Sequence, residues 1–277
     1  MRVLETIAET RSALAESPRP LGLVPTMGYL HEGHLSLVRQ ARSENRSVAV
    51  SIFVNPTQFG PSEDYAAYPR DLDRDLELLQ QEGVDFVFGP SVQEMYPEGF
   101  ASNVMVERVT DRLEGAARPT HFKGVATVVT KLFNIVQPDR AYFGQKDAQQ
   151  LQVIRKMVTD LNVPIGIRAV PTMREPDGLA MSSRNVLLTP EQRAAAPVLS
   201  RALCAAEQRY RAGERSGDVL RSTMSDLLAA EPLARADYVS VAAADTLKEL
   251  KQVDQPALLS LAVRFGKVRL IDNIPLP

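Results

Sequence analysis

An alternation in the first 170 residues constrains this chain more than any other feature. Five short apolar runs, each bounded by Gly, Pro or Asn, occupy residues 21–25 (LGLVP), 48–54 (VAVSIFV), 84–88 (VDFVF), 140–143 (RAYF) and 165–170 (IGIRAV). Runs of this length and β-branched content read as buried strands. Between them, apolar residues fall three and four apart: Leu35, Val38 and Ala41; Leu72, Leu76 and Leu79; Val125, Val128, Val129, Leu132, Phe133 and Val136; Leu151, Ile154 and Val158. That spacing lines one face of a helix. Strand and helix in strict turn predict an α/β fold, a parallel sheet with helices on both faces, whose ligands bind outside the carboxyl ends of the strands.

The pattern changes near residue 172. PTMREPDG is a Pro/Gly-punctuated connection, and Thr189-Pro190-Glu191-Gln192 is a strong helix start, with a threonine cap, proline at the first position and glutamine at the third. Pro197 must kink or delay the helix that runs on toward Gly213. A second helix over about 217–230 and strands over 236–241, 258–265 and 267–274 follow. The division expected is therefore 1–172, the α/β domain, and 173–277, a smaller α+β domain. The 277 residues carry 32 Lys+Arg against 34 Asp+Glu and one cysteine, Cys204. A net charge of −2 argues against a nucleic-acid-coating or polybasic membrane-binding protein. A lone cysteine forms no internal disulfide, and the longest apolar run is far too short to span a bilayer. A cytoplasmic protein is expected.

Two of the three histidines, His31 and His34, lie in PTMGYLHEGH, directly after the first strand. Three residues apart at a helix start, both rings point roughly the same way. Gly28 and Gly33 allow close backbone approach, and the helix end supplies N–H groups and a positive dipole suited to phosphate. The competing readings are a metal site, for which H-E-G-H has the wrong spacing, and a structural turn with incidental histidines. Three further segments favour phosphate chemistry. Residues 48–60 end in Asn55 and Gln58, neutral amides fit for hydroxyls and a carboxylate. Residues 140–150 place Gly144, Lys146, Asp147 and Gln150 at another strand-to-helix junction, where Asp147 is suited to capping. Residues 178–185 hold Ser182, Ser183 and Arg184 in a loop that either caps a turn or clamps phosphate.

PTMGYLHEGHLSL, IFVNPTQFG, YPRDLDRDL, RPTHFKGV, YFGQKDAQQ and MSSRN, in this order and spacing, resemble the pantoate–β-alanine ligase family over essentially the whole chain. His31-Glu32-Gly33-His34 is similar to the HIGH-type signature that this family shares with other nucleotidylyltransferases on a Rossmann-like sheet. The resemblance implies condensation of pantoate with β-alanine through a pantoyl-adenylate, consuming ATP with Mg²⁺ and releasing AMP and pyrophosphate, in a cytoplasmic homodimer. It implies an ATP site lined by Met27, Gly28, Tyr29, Leu30, His31, Glu32, Gly33 and His34, by Gly144, Gln145, Lys146 and Asp147, by Met173, and by Met181, Ser182, Ser183 and Arg184. His34 takes the catalytic proton-donor position, Gln58 and Gln150 hold pantoate, and Gln58 also meets β-alanine. The sequence departs from the family at Lys123, where arginine is frequent, and at Arg74 and Leu78 around the acidic run Asp71, Asp73, Asp75. Mg²⁺ is expected to be carried by ATP and not by a protein cage, with Asp75 the carboxylate expected at the metal. A cytidylyltransferase-like enzyme would share the His31/His34 logic but use CTP, and a decayed nucleotide-binding module would turn over nothing.

Overall fold

The computed structural model describes residues 1–60 and 65–277, which group into two compact units. The first comprises Met1–Gly144 and Gln150–Pro171, the second Gln145–Gln149 and Thr172–Pro277.

In chain order the elements of the first unit are β1 (Arg2–Leu4), α1 (Ile7–Ala15), β2 (Leu21–Thr26), α2 (Glu32–Glu44), β3 (Ser47–Ile52), α3 (Leu72–Gln81), β4 (Phe86–Phe88), α4 (Val92–Met95), α5 (Leu113–Ala117), α6 (His121–Val136), β5 (Arg140–Gly144), α7 (Ala148–Asp160) and β6 (Gly166–Val170). The strands form one six-stranded sheet in the order β1-β4-β3-β2-β5-β6, every neighbouring pair parallel. Both neighbours of β2 are strands and helices flank the sheet, so β2 and β3 are buried almost end to end, which is why their sequences show no polar alternation. Val24, Val38, Val48, Val50, Val87 and Tyr142 share one buried cluster with Leu30 and Leu79. Each such side chain contributes roughly 1.5–3 kcal/mol by leaving water. The sheet reverses its winding at β2, which continues to β3 on one side and pairs with β5 on the other. A switch point of this kind opens a crevice at the carboxyl ends of the two strands, and those ends carry Met27 and Gly144.

The five strands expected from the apolar runs are present as β2 to β6. The first two elements, β1 and α1, lie outside that expectation. β1 is a three-residue edge strand that buries only Leu4, too short and too polar for a periodicity signal. Helix α1 is set by a capping box between Thr6 and Glu9, a local device that apolar spacing does not reveal.

The second unit contains α8 (Pro190–Ala195), α9 (Val198–Arg211), α10 (Gly217–Ala229), β7 (Arg235–Ala243), β8 (Ala257–Phe265) and β9 (Val268–Leu276). Pro197 separates α8 from α9, since proline has no N–H to continue the ladder and its ring crowds the preceding turn. The strands form an antiparallel sheet in the order β7-β8-β9. Leu199, Leu203, Met224, Leu259, Leu261 and Phe265 form the core between that sheet and the helices. Among the described residues, no helix is long and apolar enough to cross a membrane.

Candidate active site

At the end of β2 the chain makes a tight turn, with Gly28 at φ +79° and Tyr29 at φ +51°, and enters α2 at His31. The two histidines cap this helix reciprocally. His31 Nδ1 accepts the N–H of Gly33 at 3.1 Å, and His34 Nδ1 accepts the N–H of His31 at 3.3 Å. The ring centroids are 4.1 Å apart. A nitrogen that accepts carries no proton, so this pattern assigns the proton of each neutral ring to Nε2. Each imidazole then presents an N–H donor at the helix end where the dipole is positive. The side chain of Glu32, by contrast, is turned to Arg39, which also binds Glu82. That pairing holds the Glu32 carboxyl below the usual carboxylate range.

Asp75, on α3, supports the turn from below. Its two carboxylate oxygens accept the N–H groups of Tyr29 and Leu30, each at 2.7 Å, and the residue is 1% exposed. Burial pushes its carboxyl above the ordinary value, and the two N–H bonds and Arg74 pull it partway back. A Cβ on Gly28 would lie 3.0 Å from Asp75 Oδ2 and 3.0 Å from Ile52 Cγ2, so both φ and space demand glycine there. Both Asp75 oxygens thus accept backbone amides, and the carboxylate faces the protein. Asp71 caps α3 through the N–H of Arg74, and the guanidinium of Arg74 donates to the carbonyl of Leu30. Among the described residues, no three His, Cys, Asp or Glu side chains are grouped to hold a metal ion.

Beyond β3, a short 3-10 turn, Pro56–Gln58, presents the amide of Gln58. Asn55, almost wholly buried, donates from Nδ2 to Gln58 Oε1 at 3.1 Å and to the carbonyl of Gly124 at 3.2 Å. Its Oδ1 accepts from Thr57 and from the Tyr96 hydroxyl. With Oε1 engaged by Asn55, the NH₂ of Gln58 points the other way, to Met27 Sδ at 3.1 Å. Gln58 is therefore set as a donor next to the His31/His34 turn. The carbonyl of Gln58 meets His121 Nδ1 at 2.9 Å; a carbonyl only accepts, so His121 carries its proton on Nδ1, the reverse of His31 and His34. Neither His121 nor Tyr96 is a site residue expected from the sequence. One signal for His121 was available: it is the third of only three histidines and sits in RPTHFKGV. Gln150 lies in the first turns of α7, in the first unit, and Gly144 ends β5.

In the second unit, Gln145–Asp147 form a 3-10 turn ahead of α7. The N–H of Met181 donates to the carbonyl of Met173 at 3.0 Å, and Arg174 and Ala180 pair as an antiparallel bridge. Two residues eight apart in sequence thereby become neighbours across a small hairpin turned by Gly178. Arg174 holds it with paired bonds to the buried carboxylate of Asp272, at 2.7 and 3.0 Å. Ser182 then caps a 3-10 helix, Ser183–Leu187, by accepting the N–H of Arg184 at 3.2 Å. The turn-capping role expected of the serines is thus present at Ser182, and Arg184 stands half-exposed beside it.

The family model described as pantoate-beta-alanine ligase matches residues 2–275 of the chain. A pantothenate synthetase of Chloroflexus aggregans is 66% identical over 274 residues, 99% of each chain, and one of Pelotomaculum thermopropionicum is 58% identical over 276 residues, 99% of this chain and 98% of the other. The fold matches the crystal structure of a pantothenate synthetase from Thermus thermophilus with a TM-score of 0.95 at 54% identity, covering 99% of both chains. It matches a pantoate-beta-alanine ligase from Francisella tularensis complexed with beta-gamma ATP and beta-alanine with a TM-score of 0.81 at 35% identity, covering 99% of this chain and 97% of that one.

Proposed function

The chain belongs to the pantoate–β-alanine ligase family, and we infer from that membership that it condenses pantoate with β-alanine, converting ATP to AMP and pyrophosphate through a pantoyl-adenylate. The observation that carries the reading at the level of chemistry is the pair of imidazoles at the start of α2. Their Nδ1 atoms are both occupied by backbone N–H groups, so each is a preset Nε2–H donor for phosphoryl oxygens.

In the first step a carboxylate oxygen of pantoate attacks the α-phosphorus, an O–P bond forms, and the bond to the β-phosphate oxygen breaks to release pyrophosphate. The substrate carboxylate is already ionised at neutral pH and needs no general base. The requirement is alignment and stabilisation of charge developing on the α-phosphoryl and leaving groups. We assign that work to His31 and His34, with His34 as the catalytic donor, to Lys146 and to Ser182, Ser183 and Arg184. The backbone of Met27, Gly28, Tyr29, Leu30, Glu32 and Gly33, of Gly144, Gln145 and Asp147, and of Met173 and Met181 completes the ATP contacts. Gln58 and Gln150 hold pantoate through neutral amides suited to its hydroxyls. In the second step the amine of β-alanine, also met by Gln58, attacks the acyl carbon; the amide bond forms, the proton lost by the amine goes to solvent, and AMP leaves. Mg²⁺ has no grouped set of His, Cys, Asp or Glu ligands among the described residues, and both Asp75 oxygens accept the Tyr29 and Leu30 amides. It enters with the triphosphate as part of the substrate.

Pyrophosphate release tests the reading. Purified protein should release it from ATP with pantoate alone, in an amount near one turnover, and continuously once β-alanine is added. Release from CTP, or none from ATP, would overturn it. The reading extends to a cytoplasmic homodimer, for which light scattering should return twice the 30.5 kDa of one chain.

A further inference from the structure

At the far end of the chain, on β9, Asn273 is buried and spends its whole side chain on the turn that carries Lys146. Its Nδ2 donates to the carbonyl of Gln145 at 3.1 Å and to the carbonyl of Lys146 at 2.8 Å, and its Oδ1 accepts from Gln145 Nε2 at 3.2 Å. These two carbonyls belong to the two peptide planes on either side of the Lys146 Cα. Peptide planes are rigid, so the only soft backbone coordinates at Lys146 are its φ and ψ. Fixing both planes fixes φ and ψ, and with them the direction in which the lysine leaves the backbone. A single amide with two hydrogens does this; neither a hydroxyl nor a carboxylate can donate twice.

Asn273 is itself held. Its N–H donates to Asp272 Oδ1 at 2.8 Å, and Asp272 anchors Arg174 in the Met173–Met181 hairpin. Two adjacent residues of β9 therefore brace both segments of the second unit assigned to ATP. We propose that Asn273 is a positioning residue for the reaction: it touches no substrate, and it sets the Lys146 ammonium on the ATP phosphates through the two peptide planes flanking that lysine. The proposal rests on the assignment of Lys146 to ATP given above.

The test is a double-mutant cycle on the full-length protein, with Asn273→Ala, Lys146→Ala and the double variant assayed for pyrophosphate release over a range of ATP concentrations. A misdirected group away from the chemistry costs on the order of 10- to 100-fold, and kcat/KM for ATP should fall by that much in Asn273→Ala, while KM for pantoate stays near wild type. If Asn273 acts through Lys146, the double variant should be no worse than Lys146→Ala alone. Losses that multiply would overturn the proposal, because they would mean a separate, merely structural role. Should circular dichroism show Asn273→Ala to be unfolded, Asn273→Ser, which keeps one donor, is read against the same expectations. Impaired Lys146→Ala with unimpaired Asn273→Ala sinks the positioning role alone. Unimpaired Lys146→Ala sinks the assignment of Lys146 as well.

Discussion

His34 Nδ1 accepts the backbone N–H of His31 at 3.3 Å, and this one bond couples the capping of α2 to the tautomer of the ring proposed above as the catalytic donor. Replacing His34 by alanine removes an Nε2–H donor and leaves the cap half-made. The donor is worth most when charge builds on the phosphoryl group, so turnover should fall by roughly 10²–10³, with ATP affinity by calorimetry changed much less. A variant with near-wild-type kcat would remove His34 from the chemistry.

Asp75 gives an opposite kind of prediction, because its carboxylate faces inward. Asp75→Ala leaves the N–H groups of Tyr29 and Leu30 without acceptors, at about 1–3 kcal/mol for each buried group, and should lower both the melting temperature and the activity. Asp75→Asn keeps one acceptor but sets an NH₂ against a backbone N–H, so it should also be impaired. Raising Mg²⁺ ten-fold separates the two tasks. A metal ligand's loss is relieved by more metal; loss of the turn is not, and no rescue is expected.

Gln58→Ala and Gln150→Ala should raise KM for pantoate and leave ATP binding nearly intact. The Gln58 backbone stays tied to His121 through its carbonyl, so the truncation removes the amide donor without releasing the turn. Collapse of ATP affinity in calorimetry would mean that these amides face the nucleotide.

How much of this was legible in the sequence depends on how local each signal is. The β2–α2 junction was legible because strand, glycine turn and paired histidines are contiguous. Pro197 announced its helix break for the same reason. The braces were not legible. Asp75 reaches Leu30 across 45 residues, His121 reaches Gln58 across 63, and Asn273 reaches Lys146 across 127. No periodicity encodes such bonds, since a buried Asp or Asn looks the same in sequence as a solvated one until the topology brings its partner near. Nothing in the acidic run Asp71, Asp73, Asp75 marks Asp75 as the one whose oxygens accept the Tyr29 and Leu30 amides.

Tyr142 supplies an alkaline limb to stability. Its hydroxyl donates to Glu44 Oε2 at 2.9 Å and accepts from Asn45 Nδ2 at 2.6 Å. Burial, with the Glu44 carboxylate adding to it, pushes the phenol from its ordinary 10.0 up to about 12, against the opposing pull of the Asn45 bond. The folded chain thus keeps a proton that the unfolded chain loses, so the associated stability is fully present below pH 10 and is lost as pH rises through about 12. Two units at 1.36 kcal/mol each make this about 3 kcal/mol. Denaturant melts at pH 9 and pH 11 should show about half of that drop in wild type and a much flatter response in Tyr142→Phe.

Gly124 ties helix packing to the turn that carries Gln58. It lies on α6 where that helix crosses the Pro56–Gln58 turn, and a Cβ there would sit 2.4 Å from the Thr57 carbonyl oxygen and 2.6 Å from the Gln58 nitrogen. Both are backbone atoms, so no side chain can swing aside; either the helix or the turn must move. The Gly124 carbonyl also accepts from Asn55 Nδ2, the same group that orients Gln58. Gly124→Ala therefore displaces Gln58 together with the residue that aims it. Overpacking of this kind costs roughly 1–3 kcal/mol, within what a folded domain survives. The expected phenotype is a modest loss of melting temperature with a pantoate KM raised about as far as in Gln58→Ala, and ATP binding unchanged. The double variant Gly124→Ala/Gln58→Ala should then be little worse for pantoate than either single one. Wild-type pantoate kinetics in a folded Gly124→Ala protein would show that the close approach of α6 serves packing alone.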